Sequence, residues 1–385
     1  MTAGFELATA GRIVFGAGRV VELGAMVRAL PAGRVLLVTG RTPGRASAAV
    51  ASLRESGLET TLFQVPGEPS VELVREGVAA AKQARADAVV ACGGGSALDA
   101  GKAIAALATN PGDVYDYLEV VGRGEPLVHP PLPFVAVPTT AGTGSEVTRN
   151  AVLHASEHEV KASLRSPLML PRIALVDPDL LEGAPPQVIA SSGMDALSQL
   201  VEPYLSVRAN PLTDALAREG IARSARSLHR ACLEGADASA REDLALASLL
   251  GGICLANAGL GAVHGIAAPA GGMLGAPHGA LCAALLPAVF AVNLSAVRDR
   301  VPARADRFRE VAVLVTGRAG AQSEDGLAFF DALRHDLSIP GLASYGLDAG
   351  RVPALVARSL QASSTRANPV ELTEAELTEI VLRSM

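Results

Sequence analysis

The sequence predicts a two-part protein, in which a doubly wound α/β domain with a parallel sheet is followed by an all-helical domain. In the first half, short apolar and β-branched runs alternate with longer amphipathic segments, which is typical of strand–helix–strand units. After about residue 185, long Ala/Leu/Arg segments carry the i, i+3, i+4 apolar period of helices. The segment "GAPPQ" at 183–187 breaks the first pattern, so we predict domains at 1–185 and 186–385.

The elements of the α/β domain can be predicted in order. A helix is predicted over 70–86, with Ser70 as its N-cap, and 161–181 is expected to add one or two strands. The chain closes with a helix capped near Thr373. The strands are predicted in "RVLLVTG" (34–40), "ETTLFQV" (59–65), "DAVVACGGGS" (87–96, ending in a turn) and "PFVAVPTT" (133–140).

Composition excludes several classes of protein. With 385 residues and 49% hydrophobic content, the chain can bury a large core. A net charge of −6 without a basic run argues against a nucleic-acid partner. Apolar runs are interrupted by charged or turn residues, so no membrane span or membrane partner is expected. The N-terminus lacks a signal-peptide pattern, and the four cysteines lack CxxC spacing, which together predict a cytoplasmic protein with buried thiols.

A glycine-rich turn, "GGGS" at 93–96, leaves an apolar strand and opens a helix. Glycines let a backbone approach a ligand closely, and a helix N-terminus offers free N–H groups and the positive end of the helix dipole. This setting suits a pyrophosphate, although a tight turn without a ligand has the same sequence. The turn is not a GxGxxG fingerprint, so it does not by itself identify a standard Rossmann domain.

A second polar loop, "PTTAGTGSEVT" at 138–148, follows another strand. Ligands of open α/β sheets bind beyond the carboxyl ends of the strands. Thr139, Thr140 and Thr143 are therefore candidates to bind a ribose, a phosphate or a carboxamide. Any one of these threonines would be an ordinary loop residue, but two polar loops after different strands favour a ligand site.

The helical half carries polar side chains in apolar surroundings. Asp195 and Gln199 lie four residues apart in "SGMDALSQLVEPY", so they share one face of a helix. His264 and His278 lie in the apolar "GAVHGIAAPAGGMLGAPHGALCAALLP". Aspartate and neutral histidine are standard ligands of Fe²⁺ or Zn²⁺, and three protein ligands leave a position for substrate. A lone histidine in such a segment would more often be a hydrogen-bonded core residue. Two histidines together with Asp195 keep the metal site open, although these ligands lie far apart in the chain and form no local motif.

Ordered blocks lie along nearly the whole chain: "FGAG" (15–18), "GGGSALDAGKAIA" (93–105), "PTTAGTGSEVT" (138–148), "VDPDL" (176–180), "SGMDAL" (192–197), "HG" (264–265) and "PHGALCAALLP" (277–287). Together they resemble the iron-containing (group III) alcohol dehydrogenase family. The resemblance implies a nucleotide-binding domain, a helical domain and an active site in the cleft between them. It further implies NAD(P), usually one divalent metal, a small alcohol or aldehyde substrate, and a homo-oligomer such as a dimer.

Carried over residue by residue, the resemblance implies that Asp195, His264 and His278 are the metal ligands and form the catalytic centre. Gln199 stands where the family commonly has a further histidine ligand, and an amide oxygen is a weaker ligand for Fe²⁺ or Zn²⁺ than imidazole. Gln199 is therefore retained as an assisting ligand. Ala268 stands where relatives often carry a histidine suspected of proton transfer.

The resemblance also implies the cofactor contacts. Gly40 replaces an aspartate that in many relatives accepts the ribose hydroxyls, and Arg41 or Arg45 can pair with a 2′-phosphate. NADP(H) is therefore kept beside NAD(H). Lys161 matches a family lysine that touches the cofactor ribose. The full set of expected cofactor residues is Gly40, Arg41, Gly93, Gly94, Gly95, Ser96, Asp99, Thr139, Thr140, Thr143 and Lys161.

These observations predict an NAD(P)-dependent, metal-assisted oxidoreductase that interconverts a small alcohol with an aldehyde or ketone by hydride transfer. A metal-independent reductase of an oxo-acid, like maleylacetate reductase, is the first alternative, although such enzymes typically replace the aspartate that is kept here at Asp195. A dehydroquinate-synthase-like enzyme would need a more polar surround for the metal than "GIAAPAGGM" supplies. A non-catalytic nucleotide-binding paralogue is the alternative outside the enzymes.

Overall fold

The computed structural model describes residues 4–158, 160–233 and 237–385. Within it the chain divides into two compact units. The α/β unit consists of Thr9–Thr140 and Gly144–Glu182.

The helical unit consists of the remaining segments. Its main part is Gly183–Met385, so the division lies close to the predicted boundary between residues 185 and 186. Two short segments, the one ending at Ala8 and Ala141–Thr143, also belong to the helical unit. Neither short segment carries a sequence signal for this assignment.

The α/β unit is built on a six-stranded sheet whose strands all pair in parallel, in the order β1-β8-β5-β4-β2-β3. Strands β6 and β7 form a separate antiparallel hairpin. Strand β8 and all but the first residue of β7 lie in the segment 161–181, which was expected to add one or two strands. Among the described strands, β1 and β6 were not predicted. The strands are β1 Ile13–Phe15, β2 Arg34–Thr39, β3 Glu59–Gln64, β4 Ala88–Gly93, β5 Phe134–Pro138, β6 Asn150–Ala155, β7 Val160–Arg165 and β8 Ile173–Val176.

Helices cover both faces of this sheet. Successive strand residues point to opposite faces, so Leu36 and Val38 of β2 enter one apolar cluster while Val35 and Leu37 enter another. Central strands buried on both faces read as continuous apolar runs, which is why they were recognisable in the sequence. Ser70 caps α3 as predicted, its side chain accepting from the Leu73 backbone N–H at 3.1 Å. The helices are α1 Leu23–Arg28, α2 Ser47–Glu55, α3 Val71–Gln83, α4 Gly95–Leu107 and α5 Val114–Tyr117.

Among the described residues of the main part of the helical unit, the regular elements are helices and none is a strand. The last of them begins at the capping box of Thr373, as predicted. The helices are α6 Pro186–Leu205, α7 Pro211–Leu233, α8 Ala238–Ala258, α9 Ala262–Leu274, α10 His278–Arg300, α11 Ala305–Thr316, α12 Ser323–Asp336, α13 Val352–Gln361 and α14 Glu374–Arg383.

Helix α10 is long and apolar enough to cross a membrane. In the fold, however, 89% of its apolar window is buried inside the protein, as expected for the central helix of a bundle. Helices α8 and α9 pass the same test only when they are taken together, and they meet at a bend of 100°. The burial of α10 and the sharp bend between α8 and α9 are typical of helices that form the core of a globular domain.

Candidate functional site

Helix α6 carries the first two metal-ligand candidates. Asp195 and Gln199 lie one helical turn apart and are buried, with 2% and 4% of their surfaces exposed. Pro186 begins the helix, where its missing N–H and fixed φ cost nothing. Gly279, near the start of α10, allows that helix to pack closely against α6, since a Cβ at this position would meet the Ser191 carbonyl oxygen at 2.2 Å.

The two histidines lie in the first turns of two further helices. Gly259 ends α8 with a φ of +74°, which favours glycine, and the chain then turns into α9, whose first turn contains His264. Helix α10 begins at His278, directly after Pro277. One turn later on the same face of α10 is Cys282, which is fully buried.

These three helices bring four potential ligand atoms together. Nε2 of His264 lies 3.2 Å from Oδ1 of Asp195, and Nε2 of His278 lies 3.9 Å from the same oxygen. Sγ of Cys282 lies 3.8 Å from Nε2 of His264 and 3.6 Å from Nε2 of His278. All four groups offer a ligand atom within 4.8 Å of every other. A carboxylate, two imidazoles and a thiol so arranged can surround one divalent cation.

Glu202 holds His264 in the orientation that this arrangement needs. Its Oε2 lies 2.6 Å from Nδ1 of His264, and its Oε1 accepts a hydrogen bond from the Val263 backbone N–H at 2.7 Å. A carboxylate is an acceptor, so the imidazole donates from Nδ1 and turns the lone pair of Nε2 towards Asp195. Glu202 lies two turns after Asp195 on α6, so one helix supplies both groups.

The Gln199 amide is only partly satisfied. It makes a side-chain hydrogen bond with Asp195, and because a carboxylate accepts, the amide NH₂ is the donor. Its Oε1 is buried and has no hydrogen-bond partner. A buried, unpartnered oxygen on the side chain next to the Asp195 carboxylate is the kind of atom that a cation or a water would satisfy.

The electrostatics of the cluster favour a positive charge. Burial by itself raises the pKa of the Asp195 carboxyl, but the hydrogen bond with His264 and the charge of His278 outweigh burial and hold this pKa below its usual value. Burial lowers the pKa of His264, yet Cys282, Glu202 and Asp195 raise it well above its usual value. The buried acidic groups therefore stabilise a cation among them, either a proton or a metal ion.

In the α/β unit, three of the predicted cofactor segments meet at one edge of the sheet. Strands β2, β4 and β5 are neighbours, so Gly40, the turn 93–96 and Thr139 all follow carboxyl ends of adjacent parallel strands. The chain reverses its direction of winding between β2 and β4, which is where open α/β sheets bind ligands. A Cβ on Gly93 would lie 3.2 Å from the Gly40 backbone nitrogen, and a Cβ on Gly94 would lie 3.2 Å from Oγ1 of Thr140.

Helix α4 starts at Gly95 without a side-chain cap, and its first turn contains Ser96. The first turn of an uncapped helix presents backbone N–H groups to an anion. Because side chains are missing at positions 93, 94 and 95, a ligand can approach this backbone closely. The geometry suits a phosphate group, as the sequence pattern suggested.

Asp99 and Lys102 of α4 hold the neighbouring loop in place. The Asp99 carboxylate accepts from Oγ of Ser145 at 2.5 Å and from the Val152 N–H at 3.0 Å. Nζ of the buried Lys102 donates to the Ser145 carbonyl oxygen at 2.8 Å and to Oγ1 of Thr148 at 3.1 Å. The Asp99 carboxylate is therefore engaged by the protein, and its predicted contact with the cofactor stays a prediction.

Glu146, in the same loop, predicts a pH effect on stability. Burial raises the pKa of its carboxyl to about 7, against a reference value of 4.5. Keeping this proton stabilises the folded state. That contribution is fully present below the pKa of the unfolded chain, and it is lost as the pH rises through the pKa of the folded protein. Glu146→Gln, which carries no charge, should therefore gain a few degrees in melting temperature relative to the unmodified protein between about pH 5 and pH 7.5.

Scanning calorimetry of both proteins across this range tests the prediction. Glu55→Gln, at an exposed helical position, is the matched control and should follow the unmodified protein. A difference in melting temperature between Glu146→Gln and the unmodified protein that stays constant across this pH range would contradict the raised pKa of Glu146.

The remaining predicted cofactor residues have protein partners. Nε of Arg41 donates to the Pro66 carbonyl oxygen at 2.9 Å, and the Arg45 guanidinium donates to the Leu180 carbonyl oxygen at 2.8 Å. Lys161 forms an ion pair with Glu68 at 2.6 Å. Arg41 is exposed and uses one nitrogen in this contact, so its other donors can still meet a ligand.

Thr143, also predicted to bind the cofactor, belongs to the helical unit, whereas Thr139 and Thr140 belong to the α/β unit. The predicted loop 138–148 is thus divided between the units.

Sequence reasoning missed two residues of the cluster. Glu202 was visible as an acidic residue in an apolar helix, seven positions after Asp195, and that spacing could have placed it on the same face. Cys282 was interpreted only as a buried thiol, although it stands four residues after His278. The i, i+4 spacing of a histidine and a cysteine at a helix start was the available signal.

Comparisons with known proteins agree with this architecture. The sequence model of the iron-containing alcohol dehydrogenases matches residues 10–178, and the model of the C-terminal part of the Fe-containing alcohol dehydrogenase family matches residues 189–385. A 1,3-propanediol dehydrogenase of Klebsiella pneumoniae is 37% identical over 378 residues, which cover 95% of each chain. An NAD-dependent methanol dehydrogenase of Bacillus methanolicus is 33% identical over 382 residues, which cover 97% of each chain.

Among solved structures, that of a 1,3-propanediol oxidoreductase superposes with a TM-score of 0.93 at 36% identity and covers 100% of both chains. The family matches, the relatives and the parallel sheet followed by a helical domain lead to one conclusion. The chain belongs to the iron-containing alcohol dehydrogenase family and is an alcohol/aldehyde oxidoreductase.

Proposed function

We propose that this chain is an NAD(P)-dependent alcohol dehydrogenase and aldehyde reductase whose one divalent metal, Fe²⁺ or Zn²⁺, is held by Asp195, His264 and His278. The observation that carries the proposal is the convergence of these three side chains, which come from three different helices. Relatives named for 1,3-propanediol and methanol make short alcohols and their aldehydes the first substrates to test.

The residues fit a metal in three respects. The carboxylate of Asp195 is favoured in its charged form by its neighbours. Nε2 of His264 is turned towards Asp195 by the hydrogen bond from Nδ1 to Glu202. Oε1 of Gln199 lacks a partner, which supports a role for Gln199 beside the ion or beside a water next to it.

A bound divalent ion supplies Lewis acidity, which makes a substrate carbonyl a better hydride acceptor. The protein residues supply orientation and exclude water. Asp195 and His264 are almost wholly buried, whereas the side chain of His278 is 34% exposed, so His278 lies on the solvent side of the cluster. Ala268, which replaces the relay histidine of many relatives, carries no titratable proton. We therefore expect the proton to be exchanged with water or a coenzyme ribose hydroxyl, or through His278.

The coenzyme is proposed to bind at the edge of the sheet formed by Gly40, the turn 93–96 and Thr139. Bound there, a nicotinamide coenzyme carries the hydride, while the protein orients it. Gly40 offers no carboxylate to repel a 2′-phosphate, and a Cβ at that position would meet open space. The exposed Arg41 beside it can pair with such a phosphate. These features support NADP(H) as a coenzyme alongside NAD(H).

Metal content and coenzyme binding test the proposal together. Protein purified without chelator should contain about one divalent ion per chain, measured by elemental analysis. Removing the ion should abolish aldehyde-dependent oxidation of NADH or NADPH, and adding Fe²⁺ or Zn²⁺ back should restore it. Fluorescence titrations with both coenzymes should show binding before and after removal of the metal.

Two results would contradict the proposal in different ways. Full activity after complete removal of the metal would favour the metal-independent reductase of an oxo-acid. Coenzyme binding without turnover of any short alcohol or aldehyde by the metal-loaded protein would favour a nucleotide-binding paralogue without catalytic activity.

A further inference from the structure

We propose that the Cys282 thiolate is the fourth protein ligand of this metal centre, which makes it an Asp-His-His-Cys site selective for Zn²⁺ over Fe²⁺. The inference rests on the proposed function, because it names the ligand and the class of ion at the same site. It departs from the sequence-based expectation, in which Gln199 assisted the other three ligands.

The separations from Asp195 and Cys282 to the two imidazoles are within about half an ångström of those in a coordination shell. With metal–nitrogen and metal–oxygen bonds of about 2.0 Å and a metal–sulfur bond of about 2.3 Å, neighbouring ligand atoms of a tetrahedron are about 3.3 to 3.6 Å apart. The separations from Asp195 to the two imidazoles are 3.2 and 3.9 Å, and those from Cys282 to the same nitrogens are 3.8 and 3.6 Å. Small side-chain movements would bring all four atoms onto one ion.

The sulfur contacts the metal-facing nitrogens of both histidines. It is 3.8 Å from Nε2 of His264 and 3.6 Å from Nε2 of His278. Helix α10 keeps the two groups together, because Cys282 and His278 lie one turn apart on the same face and would both face a bound ion. Cys282 is fully buried, so its backbone and neighbours leave the sulfur little freedom to turn away.

Gln199 is the competing donor, and its chemistry is less suitable. Its amide NH₂ is committed to Asp195, which is itself a ligand, and only the neutral Oε1 is left. A neutral amide oxygen binds Zn²⁺ or Fe²⁺ more weakly than an anionic sulfur does.

The donor set also selects the metal. Thiolate is a soft ligand that favours Zn²⁺, whereas carboxylates and imidazoles alone accept Fe²⁺ readily. Binding of the ion displaces the thiol proton to the solvent, so no oxidant or reductant is needed. With four protein ligands, a zinc ion would have to expand to five ligands to admit a substrate oxygen, as zinc does in some catalytic sites.

X-ray absorption spectroscopy of the zinc-loaded, full-length protein tests the inference directly. We expect one sulfur neighbour at about 2.3 Å together with nitrogen and oxygen neighbours at about 2.0 Å. Replacing zinc with Co²⁺ should produce a sulfur-to-cobalt charge-transfer band in the near ultraviolet. Neither measurement needs a variant, so a folding defect cannot obscure the result.

Three variants locate the signal. Cys282→Ser should lose the sulfur neighbour and the charge-transfer band, and should weaken zinc affinity on the order of 100-fold. Cys254→Ser is the matched control, because Cys254 is equally buried in the helical unit and its thiol donates to the Thr213 carbonyl oxygen. Gln199→Leu should keep both the sulfur neighbour and the band.

The outcomes separate this inference from the proposed function. A zinc-loaded protein with only nitrogen and oxygen neighbours, whose affinity falls in Gln199→Leu and not in Cys282→Ser, would overturn the assignment of Cys282 while leaving the metal enzyme intact. Failure of the protein to bind Zn²⁺, Co²⁺ or Fe²⁺ would overturn both.

Discussion

Asp195→Ala should lose its metal and reduce turnover by roughly 10³-fold, the equivalent of about 4 kcal/mol in transition-state stabilisation. Asp195 contributes the carboxylate of the cluster, and its Oδ1 lies within 3.2 to 3.9 Å of both imidazoles. Without this carboxylate the cluster loses an anionic ligand, so the remaining groups balance the charge of a divalent ion less well. Elemental analysis and aldehyde-dependent coenzyme oxidation measure the two losses.

The dinucleotide affinity of the same variant is the internal control. The Gly93–Ser96 turn, which is proposed to bind pyrophosphate, belongs to the α/β unit, whereas Asp195 belongs to the helical unit. The affinities for NADH and NADPH should therefore change little.

Asp195→Asn keeps the shape of the side chain and removes its charge, so it should also fail to hold the metal. Unchanged turnover in either variant would refute the role of Asp195.

The sheet was the most predictable part of the fold, because its central strands are buried on both faces. Continuous apolar runs such as those of β4 and β5 are visible in the sequence without any knowledge of their neighbours. Strand β1 has only three residues, and β6 alternates buried and exposed positions in a two-stranded hairpin. Such short or half-exposed strands leave a weak pattern, so they were missed.

The candidate metal site was predictable only in part. Three ligands stand out in the sequence because charged and titratable groups are rare in apolar segments: Asp195, His264 and His278. The family resemblance then implied that all three bind one metal. Cys282 does not stand out, because cysteine is commonly buried as a small apolar residue. Its proximity to His278 is local to α10, but its proximity to His264 and Asp195 depends on how α10 packs beside α9 and α6. That packing is set by contacts between distant segments.

Glu202→Gln should weaken metal affinity by about 10- to 100-fold and destabilise the protein by about 1 to 3 kcal/mol. The Glu202 carboxylate accepts two hydrogen bonds, one from the Val263 N–H and one that fixes Nδ1 of His264. An amide has one acceptor oxygen, and its NH₂ group would face the other donor. Either the backbone N–H or the imidazole is then left unpaired in a buried place, and the ring loses the partner that aims Nε2.

Isothermal titration with Zn²⁺ and thermal unfolding measure the two effects of this substitution. Glu310→Gln separates a general loss of stability from a loss of orientation, because Glu310 in the same unit also accepts hydrogen bonds, from Tyr204 and Arg218. That control should lose stability while keeping the metal affinity of the unmodified protein. Because Glu202 acts by orienting His264, its variant should lose affinity even at temperatures where it is fully folded. Equal metal affinity in Glu202→Gln and the unmodified protein would show that Asp195, Cys282 and the packing of α9 suffice to orient the imidazole.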